Sequence, residues 1–496
     1  MKKFVVLFIA VVLALPALSY AGSATSRWDL TIGGMVKIDY QYATQSVNQD
    51  VAYAERQAGP GNTSSRDKYS ASSWGEGETR LNFLVKGPDT WGAKTSAFVE
   101  FDFRSMTSNS VSASTRNSVE DYGLANLRHA FMKFDWPTFS IVAGKTWQVP
   151  GVQPCFCLLD VNELGPFNKG ALPVQVYGAW QATKQFSVTA GLMAPYSENN
   201  WPGGTLANGI TIDDGFQRSN WPMIFAELAY KTDACGKIGP WMLTFALGGV
   251  YGQDKPISPA TLGPVGDINA QNGTNTVSNT AIGGVVYSNP NGYDTSNVNM
   301  WMMTARTYIP IIPEKAPGKL QNSLGLALTG FTGQDIRRFA GPTPFPTADY
   351  AYNRKTYSVN EAGQILNPQA DFHAPVVTGG WGQLAYYFTD TVWAGFYYGQ
   401  VVTNLSQARA GRVSSAGVSS AGSISAGAID RLQQYVVNLV YDPNPAIRLG
   451  VQYAYYTTHY AKNLWAQPFN AAAGQGGSLE NYGNVSTIRA TAQYFF

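Results

Sequence analysis

The feature that most narrows the possible folds of this chain is an alternation of side chains at its end. In residues 488–494, the even positions carry isoleucine, alanine and tyrosine, whereas the odd positions carry arginine, threonine and glutamine. Successive side chains of a β-strand point to opposite faces, so this segment would have one apolar and one polar face. Such a strand is typical of a wall that separates lipid from water.

The same period of two recurs along the chain and predicts an all-β fold of sixteen antiparallel strands closed into a transmembrane barrel. Segments 253–296 and 333–376 are each long enough to hold a further hairpin, so eighteen strands is the alternative. The predicted strands lie near 28–42, 78–87, 94–105, 122–136, 138–147, 173–182, 185–195, 221–232, 240–252, 297–309, 321–332, 377–388, 391–403, 431–442, 446–459 and 485–496.

The connections between these strands alternate between short and long. Residues 137–138 and 182–184 are short connections, whereas residues 106–121 and 148–172 are long ones. Outer-membrane barrels have short periplasmic turns and long external loops, so this alternation predicts that both ends of the barrel chain lie in the periplasm. A soluble β-sandwich, the alternative fold, does not need such an alternation.

The first 21 residues have the pattern of a secretory signal peptide. Lys2 and Lys3 precede an apolar run over 4–15, and small residues suited to cleavage end at Ala21. The alternative is a membrane anchor, but the run is short for a bilayer span. We therefore predict a signal peptide at 1–21 and an outer-membrane barrel at 22–496.

Composition agrees with a barrel and excludes several functions. Charged residues make up 13% of the chain, against about 25% in an ordinary soluble domain. The formal net charge of +2 gives no basic excess for nucleic-acid binding. Gly144-Lys145-Thr146 lacks the glycine that a phosphate loop needs at Phe139, and no G-x-S-x-G nucleophile motif occurs. We therefore expect neither an enzyme nor a cofactor.

Cysteines and histidines offer no recognisable metal or haem site. No C-x-x-C-H motif is present, and the three histidines are far apart in sequence. An oxidised pair between Cys155 and Cys157 and free thiols both stay open, because bridging residues two apart is geometrically awkward. Cys235 is the third cysteine.

Charged side chains should lie on the inward face of the predicted strands. Those on the first four strands would be neighbours and would form a basic patch with a field across the pore. The alternative is that inward charges form local ion pairs that rigidify the wall. The inward charged residues predicted by parity are Lys37, Asp39, Arg80, Lys86, Glu100, Asp102, Arg104, Arg128, Glu227, Arg306, Arg448 and Arg489.

The third long loop, Val149 to Leu172, is unusually apolar for an exposed segment. Folding into the barrel would bury its leucines and phenylalanines. Here the chain resembles the general porins of Gram-negative bacteria, in which the third loop folds inward and constricts the channel. The resemblance implies that Asp160 and Glu163 on this loop face the basic cluster of the wall.

The terminal residue adds to this resemblance. Phe496 closes the last strand with an aromatic ring, which resembles the C-terminal signal read by the barrel assembly machinery of the outer membrane. The resemblance implies a homotrimer surrounded by outer-membrane lipid. The long loops and tryptophan content are more similar to the homotrimeric porins of sulfate- and metal-reducing bacteria.

These observations predict a passive diffusion channel for small hydrophilic solutes and ions. Its selectivity would be weak, with a slight anion lean from the inward cations. The alternatives are a substrate-specific outer-membrane channel, a barrel that sheathes an electron-transfer cytochrome, and a barrel lipase.

Overall fold

The fold is taken from a computed structural model. It describes residues 28–45, 54, 56–57, 59, 67, 69–75, 77–105, 124–151, 153, 159, 172–194, 221–254, 281–282, 285–286, 294–295, 298–334, 351–359, 365–373, 376–404, 412–413, 419–420, 429–460 and 480–496.

Sixteen antiparallel strands form the main sheet, and the second strand is broken into two segments that both pair with the first. The strands are β1 (Asp29–Ala43), β2 (Ala71–Gly75 and Arg80–Lys86), β3 (Lys94–Ser105), β4 (Leu124–Asp135), β5 (Phe139–Lys145), β6 (Val174–Gln181), β7 (Phe186–Met193), β8 (Met223–Ile238), β9 (Trp241–Asp254), β10 (Val298–Ile312), β11 (Leu324–Gln334), β12 (Val376–Tyr387), β13 (Val392–Thr403), β14 (Ile429–Asn444), β15 (Ile447–Tyr460) and β16 (Tyr482–Phe495).

Each strand pairs with its neighbours in the chain, and the last strand returns to the first. Strand β16 pairs with β1 in a register that joins Phe495 to Met35 and Arg489 to Gln41. The sheet is therefore closed, and no edge strand is left unpaired. The prediction of a closed barrel with sixteen strands is confirmed.

The long connections at 253–296 and 333–376 do contain strands, but these strands form separate small sheets outside the barrel. Ala351–Val359 and Ile365–His373 form a hairpin, and Asp294–Thr295 pairs in parallel with its second strand. Two shorter pairs join Ala281–Ile282 to Val285–Val286 and Arg412–Val413 to Ser419–Ser420. The count of barrel strands therefore stays at sixteen rather than eighteen.

Burial alternates along the strands as a barrel wall requires. On β14, Val437 and Leu439 expose about half of their surface, whereas the intervening Asn438 is 3% exposed. The exposed outward positions are mostly Leu, Ile, Val, Tyr and Trp, which suits a face in contact with hydrocarbon. The inward positions are buried and hold most of the polar side chains.

Short and long connections lie at opposite ends of the barrel, which we call the short-turn end and the long-loop end. The turn between β8 and β9 consists of Gly239 and Pro240, whereas the connection between β9 and β10 spans 255–297. Phe496 lies at the short-turn end, where its backbone exchanges hydrogen bonds of 3.0 and 3.1 Å with Gly34. A Cβ on Gly34 would lie 2.9 Å from the Phe496 ring, so glycine makes room for that ring.

Several predicted features lie outside the described residues. They include the signal peptide at 1–21 and two cysteines of the third loop, Cys155 and Cys157, whereas Cys235 is exposed and free. Among the residues that the structure describes, no helix has the length and hydropathy of a membrane span. The same part of the chain contains no group of three or more His, Cys, Asp or Glu that could hold a metal ion.

Candidate functional site: the inner wall and the third loop

A buried ionic network joins β1, β2 and β16 on the inner wall. Lys37 forms ion pairs with Glu78 and, at 3.3 Å, with Asp39. Arg489 contacts the same Asp39 at 3.2 Å and donates to the Gln41 amide oxygen at 2.5 Å. Each of these charged side chains is at most 5% exposed. Because an isolated charge at such a position is costly, the network stabilises the wall only as a complete set.

A second network lies on β3 and β4. The Arg128 guanidinium contacts Glu100 at 3.0 Å and Asp102 at 3.2 Å. A β-bulge at this point brings both Arg128 and His129 to the inner face, since the register shifts between Glu100 and Phe101. His129 then contacts the Thr146 hydroxyl at 3.1 Å. The first four strands therefore carry neutralised pairs as well as cations.

Arg80 differs from these cations. It lies opposite Asp102 in the register of β2 and β3, yet it makes no ion pair within the described part of the chain. Its Nε is buried and finds no hydrogen-bond partner among the residues that the structure describes. Arg80 is therefore an inward cation of this wall that no ion pair compensates within the described residues.

On the opposite wall, the described residues form one ion pair. Arg306 on β10 donates two hydrogen bonds to the carboxylate of Glu227 on β8, from Nε to Oε2 at 3.2 Å and from Nη2 to Oε1 at 2.5 Å. At the short-turn end, Arg448 contacts Asp442 at 2.8 Å, and Lys86 is exposed. Of the other residues predicted to line the pore, Arg104 lies on β3 with no described side chain.

Two described residues of the third loop contact opposite sides of the barrel. The Gln153 amide oxygen lies 3.5 Å from Nη1 of Arg306 on β10. Leu159 accepts a hydrogen bond from Lys37 on β1 at 2.8 Å and donates one to Gln452 on β15 at 2.7 Å. The loop therefore crosses the lumen, which confirms its predicted inward fold. Its acidic residues, Asp160 and Glu163, lie outside the described residues.

The Leu159 side chain is the anchor of this crossing. It is 3% exposed and packs with Ala385, Trp393 and Val440 of β12, β13 and β14. Gly450 on β15 completes the pocket, because a Cβ there would lie 2.5 Å from Leu159 Cδ1. Sequence reasoning noted the apolar character of the loop but did not identify this residue or its pocket.

The inner face also carries an apolar lining that sequence reasoning missed. It occupies the long-loop end of β7 to β15, and its members are buried. The available signal was apolar bulk on both faces of β12 and β13. Representative members are Met193, Met223, Phe225, Met300, Met302, Phe331, Trp381, Tyr397, Leu432 and Tyr456.

Comparison with known proteins supports the fold. No protein-family model matches the sequence, and no curated protein matches it. Among solved structures, the chain is similar to the outer membrane channel DcaP of Acinetobacter baumannii, with 14% identity, a TM-score of 0.57, and coverage of 95% of this chain and 97% of the channel. An anion-selective porin from Comamonas acidovorans also matches, with 11% identity, a TM-score of 0.47, and coverage of 95% and 100%. At 14% identity, the likeness to the Acinetobacter channel extends to the barrel fold.

Proposed function

We propose that this protein is an outer-membrane channel through which small hydrophilic solutes and ions diffuse passively. The observation that carries the proposal is a closed sixteen-stranded barrel crossed by its own third loop. A barrel of this size leaves an aqueous channel. The third loop, held at Gln153 and Leu159, narrows this channel but leaves it open. Planar-bilayer recording of the purified protein would test this, and the absence of discrete conductance steps would contradict it.

We propose that the channel is weakly selective, with a slight preference for anions that comes from the positive charge of Arg80. Most inward cations are paired with carboxylates, so their fields largely cancel. Arg80→Gln should therefore lower the chloride-to-potassium permeability ratio, measured as a reversal potential under a salt gradient. Lys319→Gln, in an exposed turn at the short-turn end, is the charge-matched control. A clear cation preference in the unmodified protein would overturn the proposed lean.

We further propose an exported homotrimer in the outer membrane of a Gram-negative bacterium. The support is the signal-like segment at 1–21, the apolar outer face and the resemblance to general porins. Phe496 would be the residue recognised by the assembly machinery. The narrower resemblance to porins of sulfate- and metal-reducing bacteria gains no support from the comparisons. Mass photometry in mild detergent should find the mass of three chains, and monomers alone would count against the trimer.

A substrate-specific channel is the second candidate, and one observation favours it. Thr329 and Trp381 are opposite each other in the register of β11 and β12, next to Arg306 on β10. The Thr329 hydroxyl and the Trp381 indole nitrogen are buried and have no hydrogen-bond partner in the described part of the chain. A bound solute could satisfy both groups. Saturable block of conductance by one solute, relieved in Trp381→Phe, would establish this candidate.

A further inference from the structure

The outer face of β13 to β16 changes character in steps from the short-turn end to the long-loop end. On β14, exposed Leu439 and Val437 are followed by Tyr435, then Gln433 and finally Arg431. Strand β15 repeats the order, and its last outward residue is His459. Arg431 and His459 are partners in the register and are both exposed. The outer face therefore ends in a basic pair above a polar row.

The polar row is a connected hydrogen-bond network. The Gln433 amide donates to the Tyr398 hydroxyl at 3.1 Å and to the Gln400 amide oxygen at 2.9 Å. The Thr457 hydroxyl donates to the Gln433 amide oxygen at 3.3 Å. Polar groups that face lipid are costly unless they are satisfied, and here they satisfy one another. This network fixes the side chains directly below Arg431 and His459.

The height of the basic pair follows from strand geometry. Tyr441 and Arg431 are ten residues apart on β14. At a rise of about 3.3 Å per residue and a tilt of about 40°, that separation spans about 25 Å of membrane thickness. The apolar band of an outer-membrane barrel is also about 25 Å tall. If Tyr441 marks one interface, Arg431 lies in the headgroup layer at the other.

No carboxylate of the described residues is paired with the basic side chains of this face. Within the described residues, neither Arg431 nor His459 forms an ion pair. The nearest acid in sequence, Asp430, is the extra residue of a bulge and pairs with neither. The outward positions of β13 to β16 contain no Asp or Glu in the described part of these strands. An anion from outside the chain is the natural partner of the guanidinium.

We propose that this face binds the phosphorylated headgroup of lipid A in the leaflet at the long-loop end. Arg431 contacts the phosphate as a two-pronged donor, and the His459 ring adds a neighbouring nitrogen. The tyrosine row of Tyr398, Tyr435 and Tyr455 lies at the boundary where the acyl chains begin. The inference rests on the proposed membrane location, but it does not depend on which solute the channel passes.

Binding of lipid A tests the proposal. The purified full chain is reconstituted in phosphatidylcholine vesicles that contain lipid A or, with equal added charge, phosphatidylglycerol, and bound lipid is quantified by native mass spectrometry. We expect lipid A to be retained in preference, and Arg431→Ala to weaken its binding about fivefold, the effect of one surface cation. His459→Ala should weaken it less. Lys231→Ala, which removes an exposed lysine near the short-turn end, should bind as the unmodified protein does.

The outcomes separate this proposal from its alternatives. Equal retention of both lipids, or unchanged binding in Arg431→Ala and His459→Ala, overturns it. Loss of an oligomer in Arg431→Ala without a change in lipid A binding assigns the face to a second copy of the chain instead. Single-channel conductance is recorded on the same samples and should be unchanged in Arg431→Ala. If the unmodified protein shows no conductance, the proposed channel function is contradicted. If it shows no lipid A binding, only this inference is contradicted.

Discussion

Replacing Leu159 with alanine should loosen the third loop from the barrel wall. The side chain is 3% exposed and fills a pocket formed by Ala385, Trp393 and Val440. Truncating a buried leucine to alanine destabilises a protein core by about 2–5 kcal/mol. We use about 2.5 kcal/mol, near the lower end of this range, because the loop backbone can shift toward the wall. The hydrogen bonds of the Leu159 backbone are not removed by the substitution.

The loss converts into a change in loop occupancy. A cost of about 2.5 kcal/mol lowers the ratio of docked to released loop about 60-fold. A ratio of about 1,000 would fall to about 16, so the released loop would be present for about 6% of the time. A loop released from Lys37 and Gln452 no longer narrows the lumen on that side. The channel should then make transient steps to a higher conductance.

Single-channel recording in planar bilayers measures these steps directly. Leu439→Ala is the matched control, because Leu439 precedes Val440 on the same strand but is 48% exposed on the outer face. We expect the control to give the unmodified conductance with no added steps. If Leu159→Ala, shown to be folded by its heat-dependent gel migration, gives the same traces as the control, then Leu159 does not hold the loop and the reasoning fails.

Three other substitutions test separate parts of the structure. Gly450→Val should displace Leu159, because its Cβ would lie 2.5 Å from the leucine methyl, and bilayer recording should show the same higher-conductance steps. Glu227→Gln leaves the Arg306 guanidinium without its carboxylate and should destabilise the barrel by about 3–5 kcal/mol, seen as a lower midpoint of urea unfolding in vesicles; an unchanged midpoint would contradict the pairing. Deleting Phe496 removes both backbone hydrogen bonds that join it to β1, and the fraction of barrel that assembles in cells should fall in a membrane-fractionation assay.

The strands could be predicted from the sequence because a barrel wall imposes a strict period of two. Each strand has lipid on one side and the lumen on the other, so its pattern depends on local alternation rather than on distant contacts. The prediction was least accurate where the alternation is interrupted. Strand β8 runs on to Ile238, because the register shifts between Met242 and Leu243 and leaves residues 233–236 unpaired. Such a bulge leaves no mark in a pattern of alternation.

The ionic partners of the inner wall could not be predicted in the same way. Glu78 falls at the start of the predicted strand near 78–87, but it lies in the break between the two segments of β2, and alternation does not show that it contacts Lys37. Arg128 and His129 are consecutive, yet a bulge places both inside. Leu159 is an apolar residue in a loop, and its pocket is assembled from strands more than 200 residues later. Long-range contacts therefore decide the site, whereas local patterns decide the barrel.

The paired wall and the anchored loop have different consequences for transport. Because Lys37 is neutralised by Glu78 and Asp39, releasing the loop from it adds no net charge to the lumen. As far as the wall is concerned, the loop should therefore change how much current passes without changing which ion carries it, and a change in ion preference would have to come from Asp160 and Glu163 on the loop itself. Arg80, which lacks an ion pair among the described residues, should have the opposite effect. If Leu159→Ala shifts the reversal potential as strongly as Arg80→Gln does, then the loop carries charge into the pore and this separation of conductance from selectivity is wrong.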